Sequence, residues 1–232
     1  MSRGTGSEAG AALYGKLPGA ADFVMHNLPP RLIDSWDSWL RGALSMARVN
    51  ADLTAQEAFY DSPPWRFWLR PGAFDSIGWV GVLVSSADRV GRPYPLTLAR
   101  PVTAEPKLQP MPNTLALDNL ESTALRMIDD QFAADAAIAA LAHAVEPAGD
   151  GPAEARRAAS FGLDLPGGME NAIAEGAATL WWQYGWTSQP AALAAAPSAP
   201  PPAQAAALWL ADWAARGWRR TAWGWMAAAV DV

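Results

Sequence analysis

The chain has 232 residues, 51% of them hydrophobic and 17% charged, with a formal net charge of −6. That is ample apolar material for a packed core, in one large domain or two small ones, and far from the composition of disordered chains. The acidic balance argues against nucleic acid and against an anionic membrane surface, and the lack of cysteine removes disulfides, thiolate nucleophiles and cysteine-bound zinc.

Residues 1–11 are Gly, Ser and Ala-rich, with no apolar run of the kind a signal peptide needs, and no stretch of 18 apolar residues follows. The expectation is a cytoplasmic, soluble protein without membrane insertion. Leu13–Lys16 reads as a short strand. Pro29-Pro30 then open a helix in which Leu32, Trp36, Trp39, Leu40, Ala43 and Ala47 recur at helical spacing. A short helix over 52–61 stops at Pro63-Pro64. Trp65, Phe67 and Leu69 alternate with Arg66, Trp68 and Arg70, which predicts a strand with unlike faces.

Trp79-Val80-Gly81-Val82-Leu83-Val84 is continuously apolar and reads as a strand covered on both sides. A polar connection over 85–93 leads to Tyr94, Leu96 and Leu98, a third strand, so 65–100 predicts an antiparallel meander. Prolines 106, 110 and 112 precede one long helix over about 114–146. Strands are expected at 158–165 and 177–184, joined by a helical piece near 168–175. Five prolines among Ala and Ser over 187–203 have linker composition, followed by a short helix over 204–216 and a Trp-rich end. The fold class expected is α/β, a single layered sandwich whose mixed sheet carries helices on its faces. The division expected is a domain over 12–185, a Pro/Ala-rich linker over 186–203, and a divergent segment over 204–232 packing back on the domain.

Twelve of the thirteen tryptophans cluster, at 36/39, 65/68, 181/182/186, 209/213/218 and 223/225, with Trp79 apart. At regular spacing they read first as core, since each indole buries a large area. Gly10 through Lys16 matches the spacing of a phosphate-binding loop. However, Leu17 stands where a hydroxyl should hold magnesium, no strand precedes it, and Pro18 follows. No dinucleotide fingerprint or nucleophile elbow is present. The two histidines, His26 and His143, lie too far apart in sequence for a metal motif, and Asp129-Asp130 point apart on a helix. No catalytic residue, cofactor site or metal site is expected.

Four ordered segments carry a family likeness: Tyr14-Gly15-Lys16-Leu17-Pro18 with Asp22-Phe23; Trp36-Asp37-Ser38-Trp39-Leu40; Pro64-Trp65-Arg66-Phe67; and Trp79-Val80-Gly81-Val82 through Ser86, Asp88-Arg89-Val90-Gly91-Arg92 and Tyr94-Pro95-Leu96-Thr97-Leu98. Together they resemble the TagF/ImpM proteins encoded with bacterial type VI secretion systems. Leu180-Trp181-Trp182 resembles a later element of that family. Two departures stand out: Ala21 replaces the family's Gly before Asp-Phe, and the proline-rich stretch replaces its Gly-Leu-Pro turn and final helix.

The resemblance implies an α/β sandwich without known catalysis. It also implies an accessory role in type VI secretion through protein–protein binding, repressing assembly or activity after translation, with a forkhead-associated-domain scaffold protein as a partner. A small-molecule or nucleotide sensor is the alternative, and an unrecognised hydrolase has no motif behind it. Within the shared segments the charged residues Lys16, Asp22, Arg66, Asp88, Arg89 and Arg92 have two readings. They are internal clamps, with Asp22 or Asp88 accepting from Arg66 or Arg92, or they form a docking surface for an acidic or phosphorylated partner. Arg89, flanked by turn residues, is the better surface candidate.

Overall fold

The computed structural model describes residues 10–102, 114–144, 165–185 and 189–227. In chain order its strands are β1 (Ala12–Gly15), β2 (Val24–His26), β3 (Trp65–Leu69), β4 (Gly78–Val84), β5 (Leu96–Val102), β6 (Thr179–Gln183), β7 (Ala192–Ala196), β8 (Trp218–Arg220) and β9 (Trp225–Ala227). The helices are α1 (Pro30–Ala47), α2 (Leu53–Tyr60), α3 (Thr114–Asp129), α4 (Ala134–His143), α5 (Leu165–Ala174), α6 (Pro202–Ala205) and α7 (Ala207–Leu210). All nine strands join one sheet in the order β2-β1-β5-β4-β3-β6-β7-β9-β8. Only β7 and β9 pair in parallel, so the sheet is mixed.

The expected meander is present. β3 pairs with β4, and β4 with β5, both antiparallel. Every residue of β4 is buried, because helices cover both faces of the sheet. On one face α1 lays Leu32, Trp36, Trp39 and Leu40 onto Phe67, Leu83 and Trp181. On the other, α3, α4 and α5 contribute Leu117, Leu120, Leu141 and Met169 against Val80, Val82 and Leu98. The period-two pattern of β3 therefore sends Trp65, Phe67 and Leu69 into the first layer and Arg66 and Trp68 towards the second. Gly81 sits where strands crowd most. A Cβ there would meet the Leu98 carbonyl oxygen and lie 2.8 Å from the Phe67 ring.

The tryptophans do pack. Trp36, Trp65, Trp181, Trp182 and Trp209 are fully buried. Trp36 lies 5.0 Å from Trp39 and 5.2 Å from Phe67, and Trp39 stacks on Trp181 at 5.2 Å, ring centre to ring centre. Several indoles also find acceptors: Trp36 Nε1 donates to Thr97 Oγ1 at 2.9 Å, Trp39 Nε1 to Pro200 O at 2.7 Å and Trp65 Nε1 to Leu208 O at 2.7 Å.

Four expectations need correcting or fall outside the described residues. The long helix over 114–146 is two helices, and 145–146 are not among the described residues. Gln131 takes a left-handed conformation (φ 51°), Phe132 N–H bonds Met127 O, and the backbone of Gly19 presses against the Gln131 and Phe132 carbonyls. Asp129 and Asp130 at the end of α3 also oppose its dipole. The linker is corrected over 192–196: β7 is a fully buried strand between β6 and β9. Its alanines fit beside the tryptophans of β6, with Trp181 opposite Ala194 and Trp182 opposite Leu193. Pro200 and Leu208 beyond it supply carbonyls to Trp39 and Trp65, and Gly42 of α1 admits Pro202, whose Cγ would lie 2.9 Å from any Cβ there. The helix over 204–216 is instead three short turns, interrupted where Ala211 adopts φ 54°. The strand expected at 158–165 lies outside the described residues over 158–164, and Leu165 begins α5. No helix among the described residues is long and apolar enough to cross a membrane.

Candidate functional site

The connection between β4 and β5 folds back on itself. A bridge between Ala87 and Pro93 closes it, Tyr94 N–H donates to Ser86 O, and Gly91 turns the chain at φ 82°, a conformation other residues resist. Asp88 organises the turn. Its Oδ1 accepts from the backbone N–H of Val90 (3.1 Å) and of Arg92 (3.0 Å). Its Oδ2 receives Arg92 Nε at 2.6 Å and Lys16 Nζ at 3.0 Å, and the side chain is fully shielded from solvent. Burial alone would raise this carboxyl; the bonds from the Arg92 backbone, Lys16, the Arg92 side chain and Val90 outweigh it and hold the group well below the usual carboxylate range. Asp88, Arg92 and Lys16 thus form an internal clamp, and Ser86 Oγ ties it to β1 by donating to Lys16 O.

Arg66 has a different setting. It is fully buried and faces α3, pairing with Asp118 (Nη2–Oδ1 2.5 Å) and Glu121 (Nε–Oε2 2.7 Å), with its guanidinium 4.9 Å from the centre of the Tyr184 ring. Asp22 is exposed, accepts only the neighbouring Phe23 N–H, and forms no ion pair among the described residues. The Asp22–Arg66 clamp is therefore corrected: the pleat of β3 turns Arg66 towards α3, whose carboxylates meet it there. Arg89 is exposed. Its N–H donates to Ala20 O at 2.9 Å, and its guanidinium has no partner among the described residues.

A second cluster was not singled out from the sequence. Asp37 of α1 lies between the core residues Trp36 and Trp39, and its Oδ1 accepts from both Tyr14 and Tyr94 hydroxyls at 2.6 Å. Its Oδ2 receives Arg41 Nε at 2.6 Å. Burial would raise the Asp37 carboxyl, but the bonds from Arg41, Tyr14 and Tyr94 keep it below its ordinary value. Burial, and then the contact with Asp37, push both phenols up, so they remain protonated donors. The visible signal was the i, i+4 spacing of Asp37 and Arg41, with a tyrosine in each of two other shared segments.

The two clusters flank one cleft of about 460 Å³ between the C-terminal turns of α1 and the 85–93 connection. Lys16, Arg41, Arg48 and Arg92 line it with the rings of Phe23 and Tyr94. The Arg41 guanidinium lies 5.2 Å from the centre of Phe23 and 5.7 Å from that of Tyr94. Among the described residues no group of three or more His, Asp or Glu is placed to hold a metal ion.

The segments that build the clamp and the cleft match a known family. A profile described as the TagF N-terminal domain, type VI secretion system-associated, covers residues 12–144, more than half of the chain, and the protein belongs to that family. The fold is also similar to the crystal structure of PA0076 from Pseudomonas aeruginosa PAO1. The two are 26% identical, with a TM-score of 0.68 over 86% of this chain and 93% of that one. A search of the curated proteins finds no match.

Proposed function

We propose that this type VI secretion-associated protein is a non-catalytic, cytoplasmic regulator. It acts after translation by docking onto another component of the system and holds assembly or activity down. The partner class implied by the resemblance is a forkhead-associated-domain scaffold protein. The observation that carries the docking reading is the chemistry of residues 88–92. Asp88, the one acid of the turn, is spent on internal bonds, while Arg89 projects outward without a partner among the described residues. Two apolar groups stand with it: Val90, 71% exposed, and Tyr60 of α2, 45% exposed, whose hydroxyl reaches Gly91 O at 3.5 Å. An exposed guanidinium on a backbone held by the Arg89 N–H bond to Ala20 O, beside exposed apolar surface, matches the make-up of interface anchors. The test is a pull-down from a type VI-positive lysate with the wild type and Arg89→Glu, read by mass spectrometry. A type VI component recovered by the wild type and lost by the variant supports docking through this loop. Equal recovery by both rejects it.

A further inference from the structure

We propose that the cleft between α1 and the 85–93 connection binds a dianionic phosphate group carried by a small molecule, either inorganic phosphate or a phosphate monoester. The inference is independent of docking at Arg89, which does not line the cleft.

Four cations, Lys16, Arg41, Arg48 and Arg92, face the cleft, and among the described residues the carboxylates paired with them are two, Asp37 and Asp88. Two positive charges remain at a concave site in a chain whose net charge is −6. The C-terminal end of α1, which also borders the cleft, offsets only about half a charge through its dipole. A phosphate monoester carries about −1.5 to −2 at neutral pH, which matches the surplus better than a single carboxylate does.

Donor geometry comes next. Lys16 Nζ spends hydrogen bonds on Asp88 Oδ2 and Arg92 O (3.4 Å), leaving one of its three N–H groups to point elsewhere. Arg41 places Nε on Asp37, and its terminal nitrogens have no hydrogen-bond partner among the described residues. The stack on Phe23 and Tyr94 fixes the plane of that guanidinium, which lowers the ordering cost of binding. Arg48 closes α1 in a left-handed conformation (φ 60°), is exposed, and has no side-chain partner among the described residues. Forked guanidinium groups with one ammonium are the donor set phosphate oxygens take. A volume of about 460 Å³ lies in the range of small-molecule sites. Gly10–Lys16 does not have the architecture of a phosphate-binding loop, because residues 12–15 form strand β1 and the next element is strand β2, not a helix.

Isothermal titration tests this with four probes: inorganic phosphate, adenosine monophosphate, adenosine and a phosphothreonine peptide. One-to-one binding of phosphate or adenosine monophosphate, with none of adenosine, is expected. Arg48→Gln, which removes no internal contact among the described residues, should weaken that binding about tenfold or more, while Arg70→Gln, outside the cleft, should leave it unchanged. Equal affinity for phosphate and adenosine monophosphate supports free phosphate as the source; tighter adenosine monophosphate supports an organic phosphate. Binding that ignores Arg48→Gln, or adenosine binding as well as its phosphate, overturns the site. A phosphopeptide tighter than both small probes overturns the small-molecule assignment in favour of a phosphorylated protein.

Discussion

The two ends of the chain build opposite halves of one sheet by different means. Residues 10–102 supply β1 to β5 from Val, Leu and aromatic residues that alternate or run continuously, and each strand carries its own apolar face. Residues 179–227 supply β6 to β9, and the strand at their centre, β7, is Ala-Leu-Ala-Ala-Ala. Alanine has little strand preference and offers no contrast between faces. What makes β7 a strand is its neighbourhood: the bulk of Trp181 and Trp182 alongside, and indole donors from α1 and β3 that take the Pro200 and Leu208 carbonyls. Large residues from both ends of the chain thus specify the shape of the small residues of β7 and of the turns that follow it.

Because of that dependence the halves do not separate. Truncation after residue 185 removes β7, β8 and β9 and uncovers β6 together with the indoles of Trp39 and Trp65. The expected product shows no cooperative unfolding transition by circular dichroism. A truncated chain that melts sharply would show that 12–185 stands alone.

Trp181→Ala is the next largest change. Its ring sits against Trp36, Trp39 and Phe67, so a cavity there touches both halves. A loss of about 3–5 kcal/mol in a single urea transition is expected. Two separate transitions would mean two independent cores.

A smaller effect distinguishes the clamp at the N-terminal half from the rest. Asp37 and Asp88 have depressed carboxyl values in the folded protein. Their contribution is fully present above the unfolded value of about 4 and is lost as pH falls below it. Urea unfolding from pH 7 to pH 3 should show stability falling with acid, and Asp88→Asn should flatten that fall. An unchanged acid limb in the variant would remove Asp88 from the clamp.

The contrast between the halves also explains what could be read from the sequence. The meander, α1 and the packed tryptophans were legible because period and composition agree with the fold there. The stretch over about 114–146 reads as one helix because its apolar spacing does not announce the left-handed Gln131, whose carbonyl lies close against Gly19 from another part of the chain. β7 was read as linker because proline and alanine carry no sign of the indoles they pack against. Among the site residues, Asp88 with Arg92 was visible as a turn staple. The partners of Arg66 were not, since Asp118 and Glu121 lie some fifty residues away on α3. Asp37 was hidden for the same reason, because its tyrosines come from β1 and from the start of β5.

The smallest expected change in stability belongs to Arg89→Glu, within about 0.5 kcal/mol of the wild type, because the guanidinium is exposed and unpaired among the described residues. Docking should respond far more. Equilibrium titration of the purified forkhead-associated scaffold protein against wild type and Arg89→Glu, with thermal unfolding in parallel, separates the two quantities. Binding by the wild type, with a loss of about 2 kcal/mol or more in the variant and no shift in melting, is the predicted result. Equal affinity of both forms, or no binding by the wild type, would contradict docking of this partner through the 88–92 loop.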